Sequence, residues 1–310
     1  MMKRFQNILF FAEGESEPSP ALRRAFRLAE TNHARLTLVD VVEPIDTPGE
    51  LRSQLGVDLN EVLRERRLAE LDALTTSHKS DETLIYTEVL SGTPFIQIIR
   101  AVKRRGYDLV IKAARGPQDV SEQLFGSTDL HLLRKCPCPV WIDQPTAEPY
   151  YANVLAAVDP MAPPGEGCDR LVMDLASSIA EREGAVLTVV HAWQLDGESM
   201  LRHGRLRLPA KDLDILLDGT KSRHRDKLAA LLAPYGMHAE EERVHLVKGN
   251  PSPVIRGVAT RLPADLIVMG TVGRVGLPGF FIGNTAEEVI QTTSASVLAV
   301  KPLGFVSPVE

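Results

Sequence analysis

The feature that most constrains this 310-residue chain is that it repeats itself. A shift of 157 residues carries Asp108-Leu109-Val110-Ile111 onto Asp265-Leu266-Ile267-Val268, and Gly92-Thr93-Pro94 onto Gly249-Asn250-Pro251. The same shift pairs Gly116 with Gly273, Gly126 with Gly283, Val140 with Val297 and Pro145 with Pro302, without a gap. Nearer the start of each copy the shift is smaller: 146 for Asn7-Ile8-Leu9 against Asn153-Val154-Leu155, and 151 for residues 34–41 against 185–192. The extra residues therefore fall between elements, where loops absorb them. Each copy is long enough to bury a core of its own. The Pro-bearing polar stretch 144–149 reads as a linker, which gives one domain over residues 1–146 and a second over 147–310.

Within each copy, short apolar runs alternate with amphipathic segments, the pattern of a parallel sheet with helices on its faces. In the second copy, residues 152–158 and 185–191 read as strands flanking a helix over 168–183, where Leu171, Leu175 and Ile179 recur at helical spacing. Residues 194–219 have no clear period. A helix over 220–232, a strand over 242–247, a Pro-initiated helix over 251–259, a strand over 265–269, a helix over 284–292 and a strand over 296–300 complete five strands. The first copy follows the same order, with a helix over 59–74. Near-continuous apolar runs such as Leu266-Ile267-Val268-Met269 indicate strands covered on both faces. The last strands, 139–143 and 296–300, are apolar edges suited to pairing the two copies with each other.

In open α/β sheets ligands collect at the carboxyl ends of strands, near the switch in strand order. After the fourth strand of the second copy comes a glycine-rich segment, Gly270-Thr271-Val272-Gly273-Arg274, continuing to Gly283-Asn284-Thr285. Glycines there let backbone N–H groups approach a phosphate, and Gly283-Asn284-Thr285 opens a helix whose N-terminus favours anions. It is not a Walker loop, because the Gly-Lys-Ser/Thr ending is absent. Arg274 reads equally as a solvated loop cation and as a phosphate partner. His191 reads as a packed core histidine at a strand end.

Gly-x-x-Gly, nine residues, then Gly and a small polar residue resembles the ATP-binding pattern of the universal stress protein family, and the string from Gly270 to Glu287 is similar to its tandem E-type bacterial members. The resemblance spans almost the whole chain, twice. It implies two tandem Rossmann-like domains of the adenine nucleotide alpha hydrolase-like kind, each a five-stranded parallel sheet with helices on both faces. By the same resemblance, Asp159 meets the adenosine part of ATP and Ala192 contacts adenine through its backbone. Met269 and Gly270 lie along the ribose, and Gly273, Gly283, Asn284 and Thr285 surround the phosphates. Asn284 departs from the Ser or Thr of ATP-binding members, although its amide still donates a hydrogen bond.

The first copy departs further. Its loop reads Lys112-Ala113-Ala114-Arg115-Gly116-Pro117, then Gly126-Ser127-Thr128, and Glu13 stands in place of Asp159. This half is expected to hold a degenerate site, with Lys112 and Arg115 leaving room for an anion other than ATP. The expected ligand of the second copy is ATP, alone or with Mg²⁺, in a regulatory or stress-resistance role with at most weak hydrolysis. The alternatives are a slow nucleotide hydrolase, or a scaffold or small-anion binder with vestigial sites. The copies are expected to pair within the chain, and a homodimer stays open.

A net charge of −6 argues against a broad nucleic-acid footprint. No apolar run approaches the roughly 18 residues of a membrane span, and the start lacks signal-peptide architecture, so the expected location is the cytoplasm. Cys136, Cys138 and Cys168 read as reduced thiols, with a zinc site on Cys136, Cys138 and His131 as the minor alternative.

Overall fold

The computed structural model describes residues 5–46, 57–76, 83–114, 126–145, 150–162, 167–204, 207–271 and 283–310. In the N-terminal half the order is β1 (Asn7–Phe11), α1 (Pro20–Asn32), β2 (Arg35–Val42), α2 (Leu59–Thr75), β3 (Ile85–Ser91), α3 (Pro94–Arg105), β4 (Leu109–Ala113), α4 (Ser127–Lys135) and β5 (Val140–Asp143). The C-terminal half repeats it: β6 (Asn153–Ala157), α5 (Asp169–Glu183), β7 (Val186–Trp193), α6 (Glu198–His203), α7 (Ala210–Leu232), β8 (Val244–Lys248), α8 (Pro251–Arg261), β9 (Leu266–Gly270), α9 (Asn284–Thr292) and β10 (Ser296–Val300).

Each half is a parallel five-stranded sheet, with spatial orders β3-β2-β1-β4-β5 and β10-β9-β6-β7-β8. Successive strand residues face opposite ways, and this separates two apolar layers. One layer holds Ile8 and Phe10 together with Leu22 of α1, Leu71 of α2, Met173 of α5 and Leu228 of α7. The other layer holds Leu9 and Phe11 together with Ile98 of α3, Leu132 of α4, Ile255 of α8 and Val289 of α9. Both layers run through both halves, because β5 and β10 join antiparallel and make one ten-stranded sheet.

The register of that junction is nearly self-complementary. Trp141 lies opposite Leu298, its own counterpart in the repeat, with Val140 opposite Ala299 and Ile142 opposite Val297. An isologous contact pairs equivalent surfaces in this way. Around it, Arg24 Nε lies 3.4 Å from Asp143 and Nη1 lies 3.2 Å from Glu183 of the other half, with the guanidinium 3.7 Å above the Tyr151 ring. The Tyr151 hydroxyl donates to Asp143 and accepts from Trp141 Nε1 at 3.1 Å, while Ser296 Oγ donates to Asp143 at 3.0 Å. Burial and the Asp143 charge hold the Tyr151 phenol well above its usual pKa, so it stays a donor.

Helix starts follow local chemistry. Ser19 Oγ accepts from Leu22 N at 3.0 Å ahead of Pro20, and Asn250 Oδ1 accepts from Ser252 N at 3.3 Å ahead of Pro251. The irregular reading of residues 194–219 is corrected: α6 forms there, and α7 begins at Ala210 rather than 220. Gly219, which resembles a stop signal, sits inside α7. Burial of Leu213, His224, Leu228 and Leu232 outweighs the roughly 1 kcal/mol that an interior glycine costs. No helix among the described residues is long and apolar enough to cross a membrane.

Candidate functional site

At the carboxyl ends of β6, β7 and β9 lies a cleft of about 940 Å³, within the size range of small-molecule sites. It opens where β6 separates β7 from β9, the switch point of this half. Seven residues singled out in the sequence line it together: Asp159, Ala192, Met269, Gly270, Gly283, Asn284 and Thr285. Gly273 and Arg274 lie outside the described residues.

Three features of this cleft are set by the chain around it. Asp159 follows β6; its backbone N–H donates to Asp169 Oδ1 at 2.5 Å, and its Oδ1 accepts from Met161 N at 3.4 Å. Asp159 therefore both shapes its own turn and faces the cleft. The start of α9 has Gly283 as N-cap with no side-chain cap, and Gly283, Asn284, Thr285 and Ala286 of this first turn line the cleft. Gly283 N in turn donates to Thr271 O at 2.7 Å, which fixes that helix start against the end of β9.

Gly270 is needed for close approach rather than for unusual dihedrals. A Cβ there would overlap the Cys168 sulfur. Cys168 lines the same cleft, and burial with the neighbouring Asp169 pushes its thiol up to about 12, so it is not a thiolate nucleophile at neutral pH. Beyond Thr271 sits a buried cation: the Lys301 ammonium donates to Thr271 Oγ1 and to Leu133 O of the other half. Burial lowers its pKa to about 8.

The equivalent place in the N-terminal half is filled by charge. Lys112, 1% exposed, stands where Met269 stands in the second half. Its ammonium lies 2.5 Å from Glu13, 2.7 Å from Asp129 and 2.9 Å from Ala113 O. The expectation that Lys112 keeps charge available for an anion is thus corrected: it is committed to two carboxylates. Arg115 lies outside the described residues. Nearby, Arg67 Nε donates to Asp40, which also accepts from Gly14 N at 2.9 Å.

His191 is buried, as read from the sequence, yet it also lines the cleft and bonds to His224 of α7. His224 and Trp193 went unread; the signal for His224 was the 157-residue shift, which sets it opposite Arg67. The alternative zinc site does not assemble: His131 stacks on Phe95 at 4.2 Å, and among the described residues no three His, Cys, Asp or Glu side chains converge. Cys136 and Cys138 are buried with their sulfurs 3.6 Å apart.

Comparison with known proteins agrees with this fold. The chain is 32% identical to Universal stress protein E of Escherichia coli K12, over all of this chain and 98% of that one. It is 26% identical to the Universal stress protein E homolog of Haemophilus influenzae, over 96% and 98% of the two chains. A crystal structure of a functionally unknown protein from Pseudomonas aeruginosa PAO1 superposes with a TM-score of 0.71 at 27% identity, covering 97% of this chain and 94% of that one. A universal stress protein from Archaeoglobus fulgidus, at 19% identity and a TM-score of 0.57 over 95% and 98% of the chains, shares the fold. The universal stress protein family model matches twice, over residues 4–143 and 151–301, and the chain belongs to that family as a tandem of two of its domains.

Proposed function

We propose that the C-terminal half is a cytoplasmic adenine-nucleotide receptor that binds ATP, and that the N-terminal half is a nucleotide-free copy, with a buried ion cluster beside its cleft, that supports it. The observation that carries this reading is the meeting, in one cleft, of the uncapped helix start at Gly283, Asn284 and Thr285 with the side-chain-free strand end at Gly270 and the carboxylate of Asp159. The helix start suits a polyphosphate through N–H groups and the helix dipole. Asp159 suits a ribose hydroxyl, as an acceptor lining the same cleft. Gly270 leaves room for the Cys168 sulfur, which a side chain there would displace along the cleft wall at the end of β9. Mg²⁺, if it accompanies the nucleotide, would meet the Asp159 and Asp169 carboxylates on the same wall. Bound nucleotide then acts by its differential affinity for conformations of the cleft, a regulatory role.

Isothermal titration of ATP into wild type and into a Gly283→Glu variant tests this. Wild type binds, and the variant, which sets a carboxylate at the helix start, binds at least tenfold more weakly. No heat from wild type, or an unchanged affinity in the variant, refutes the reading.

A further inference from the structure

The ring nitrogens of His191 and His224 form a chain that ends on the backbone. His191 Nδ1 lies 3.0 Å from Val158 O, and its Nε2 lies 2.8 Å from His224 Nδ1, with the rings 5.0 Å apart and 23° from parallel. A carbonyl only accepts, so His191 Nδ1 carries a hydrogen. With both rings neutral, His191 Nε2 is then an acceptor and His224 Nδ1 its donor. One more proton is accommodated, because protonating His224 Nε2 leaves the inner N–H···N bond intact. A second would set two N–H groups against each other at 2.8 Å in a buried place. The pair therefore carries a charge of zero or one, never two.

The internal repeat shows what this pair replaces. The 151-residue shift sets His191 opposite Asp40, and the 157-residue shift sets His224 opposite Arg67. Strand register agrees, since Asp40 pairs with Val89 and His191 with Leu246, which are themselves counterparts. Both pairs join the second strand of their half to its long helix, and both line their half's cleft. One half thus holds a permanent ion pair where the other holds a pair able to titrate.

Among the described residues, the titratable groups that line the cleft with the dyad are Asp159 after β6, the neutral thiol of Cys168 and the carboxylate of Asp169 at the start of α5, Asp196 after β7, and Arg223 on α7. Lys248 at the end of β8 lies 5.9 Å from the Trp193 ring, which packs 6.2 Å from His224. Among the described residues that line the cleft, three carboxylates against the one guanidinium of Arg223 make it receptive to a proton, and an anion entering the cleft makes it more so.

We infer that the His191–His224 dyad takes up one shared proton, and that this proton strengthens the C-terminal cleft's hold on an anionic nucleotide, a control the N-terminal half lacks. The inference rests on nucleotide binding by this cleft. Its test is ATP calorimetry between about pH 5.5 and 8.5 on wild type and on a His191→Asp/His224→Arg double variant, which installs the N-terminal pair. The ionisation of ATP itself is common to both proteins and cancels in the ratio of their Kd values. Relative to the variant, wild-type Kd is expected to rise with pH, by at most about tenfold per pH unit for one linked proton. A constant ratio with measurable binding overturns the inference alone, whereas no binding by wild type at any pH removes the parent reading and the inference together. Should the double variant not fold, nitrogen-15 histidine spectra of ligand-free wild type decide: both rings are expected to report one joint single-proton transition. Two independent transitions, or none, overturn the dyad.

Discussion

Replacing Lys112 with Met, the residue found at the matching place in the other half, removes the buried cation that lies between Glu13 and Asp129. Asp129 is fully buried and Glu13 nearly so, with side chains 0% and 13% exposed, and both then face a methionine. Breaking a buried ion pair by deleting one partner costs about 3–5 kcal/mol, because the remaining charge stays desolvated. That is a large part of the roughly 5–15 kcal/mol that holds a typical domain together. The whole cluster can instead be neutralised: Lys112→Met and Asp129→Ala install the residues of the C-terminal half, and Glu13→Gln removes the remaining charge. No buried charge is then stranded, and the specific loss is the bond from Gly126 N to Asp129 at 3.0 Å, worth about 1 kcal/mol. Urea unfolding, read by fluorescence of Trp141 in a Trp193→Phe background, reports this half. The single variant is expected to lose about 3–5 kcal/mol and the triple variant about 1 kcal/mol. A single variant within 0.5 kcal/mol of wild type, the range of an ordinary surface change, would refute the reasoning, and so would a triple variant as unstable as the single.

Two further outcomes follow from the same geometry. Gly270→Ala drives the Cys168 side chain aside and should weaken ATP binding with only modest loss of stability; adding Cys168→Ala should restore affinity, and calorimetry that finds no restoration would show the glycine is needed for another reason. Burial raises the Glu15 carboxyl from an ordinary 4.5 to about 7, partly offset by bonding from Ser19. Because this folded value lies above the unfolded one, the associated stability is full below pH 4.5 and is lost as pH rises towards 7. The size of that loss is about 3 kcal/mol at most. Unfolding measured at several pH values should show this fall in wild type and not in Glu15→Gln.

Much of the architecture was legible because two kinds of signal agreed. The strand runs are short, apolar and flanked by turn residues, so β10 and α9 fall at the residues expected, and Gly283, Asn284, Thr285 and Asp159 meet where the switch-point rule sends them. What stayed illegible depends on contacts between distant segments. Gly219 carried a local stop signal that packing of α7 overrides. Lys112 looked like an available cation because the carboxylates that neutralise it come from a strand end and a helix 17 residues onward. His191 looked like core because nothing in its neighbourhood of the chain announces His224, which arrives from another element 33 residues away.

The β5–β10 junction has a consequence for how such a molecule can change over time. When two identical subunits meet about a twofold axis, every substitution appears on both sides, and a change that closes one cleft closes its twin. Fusing the two partners into a single polypeptide removes that constraint. Each side then mutates on its own while the shared seam keeps them docked. A lysine can brace the floor beside one hollow as a rigid buttress, and a methionine at the matching spot can leave its sibling suited to a different ligand.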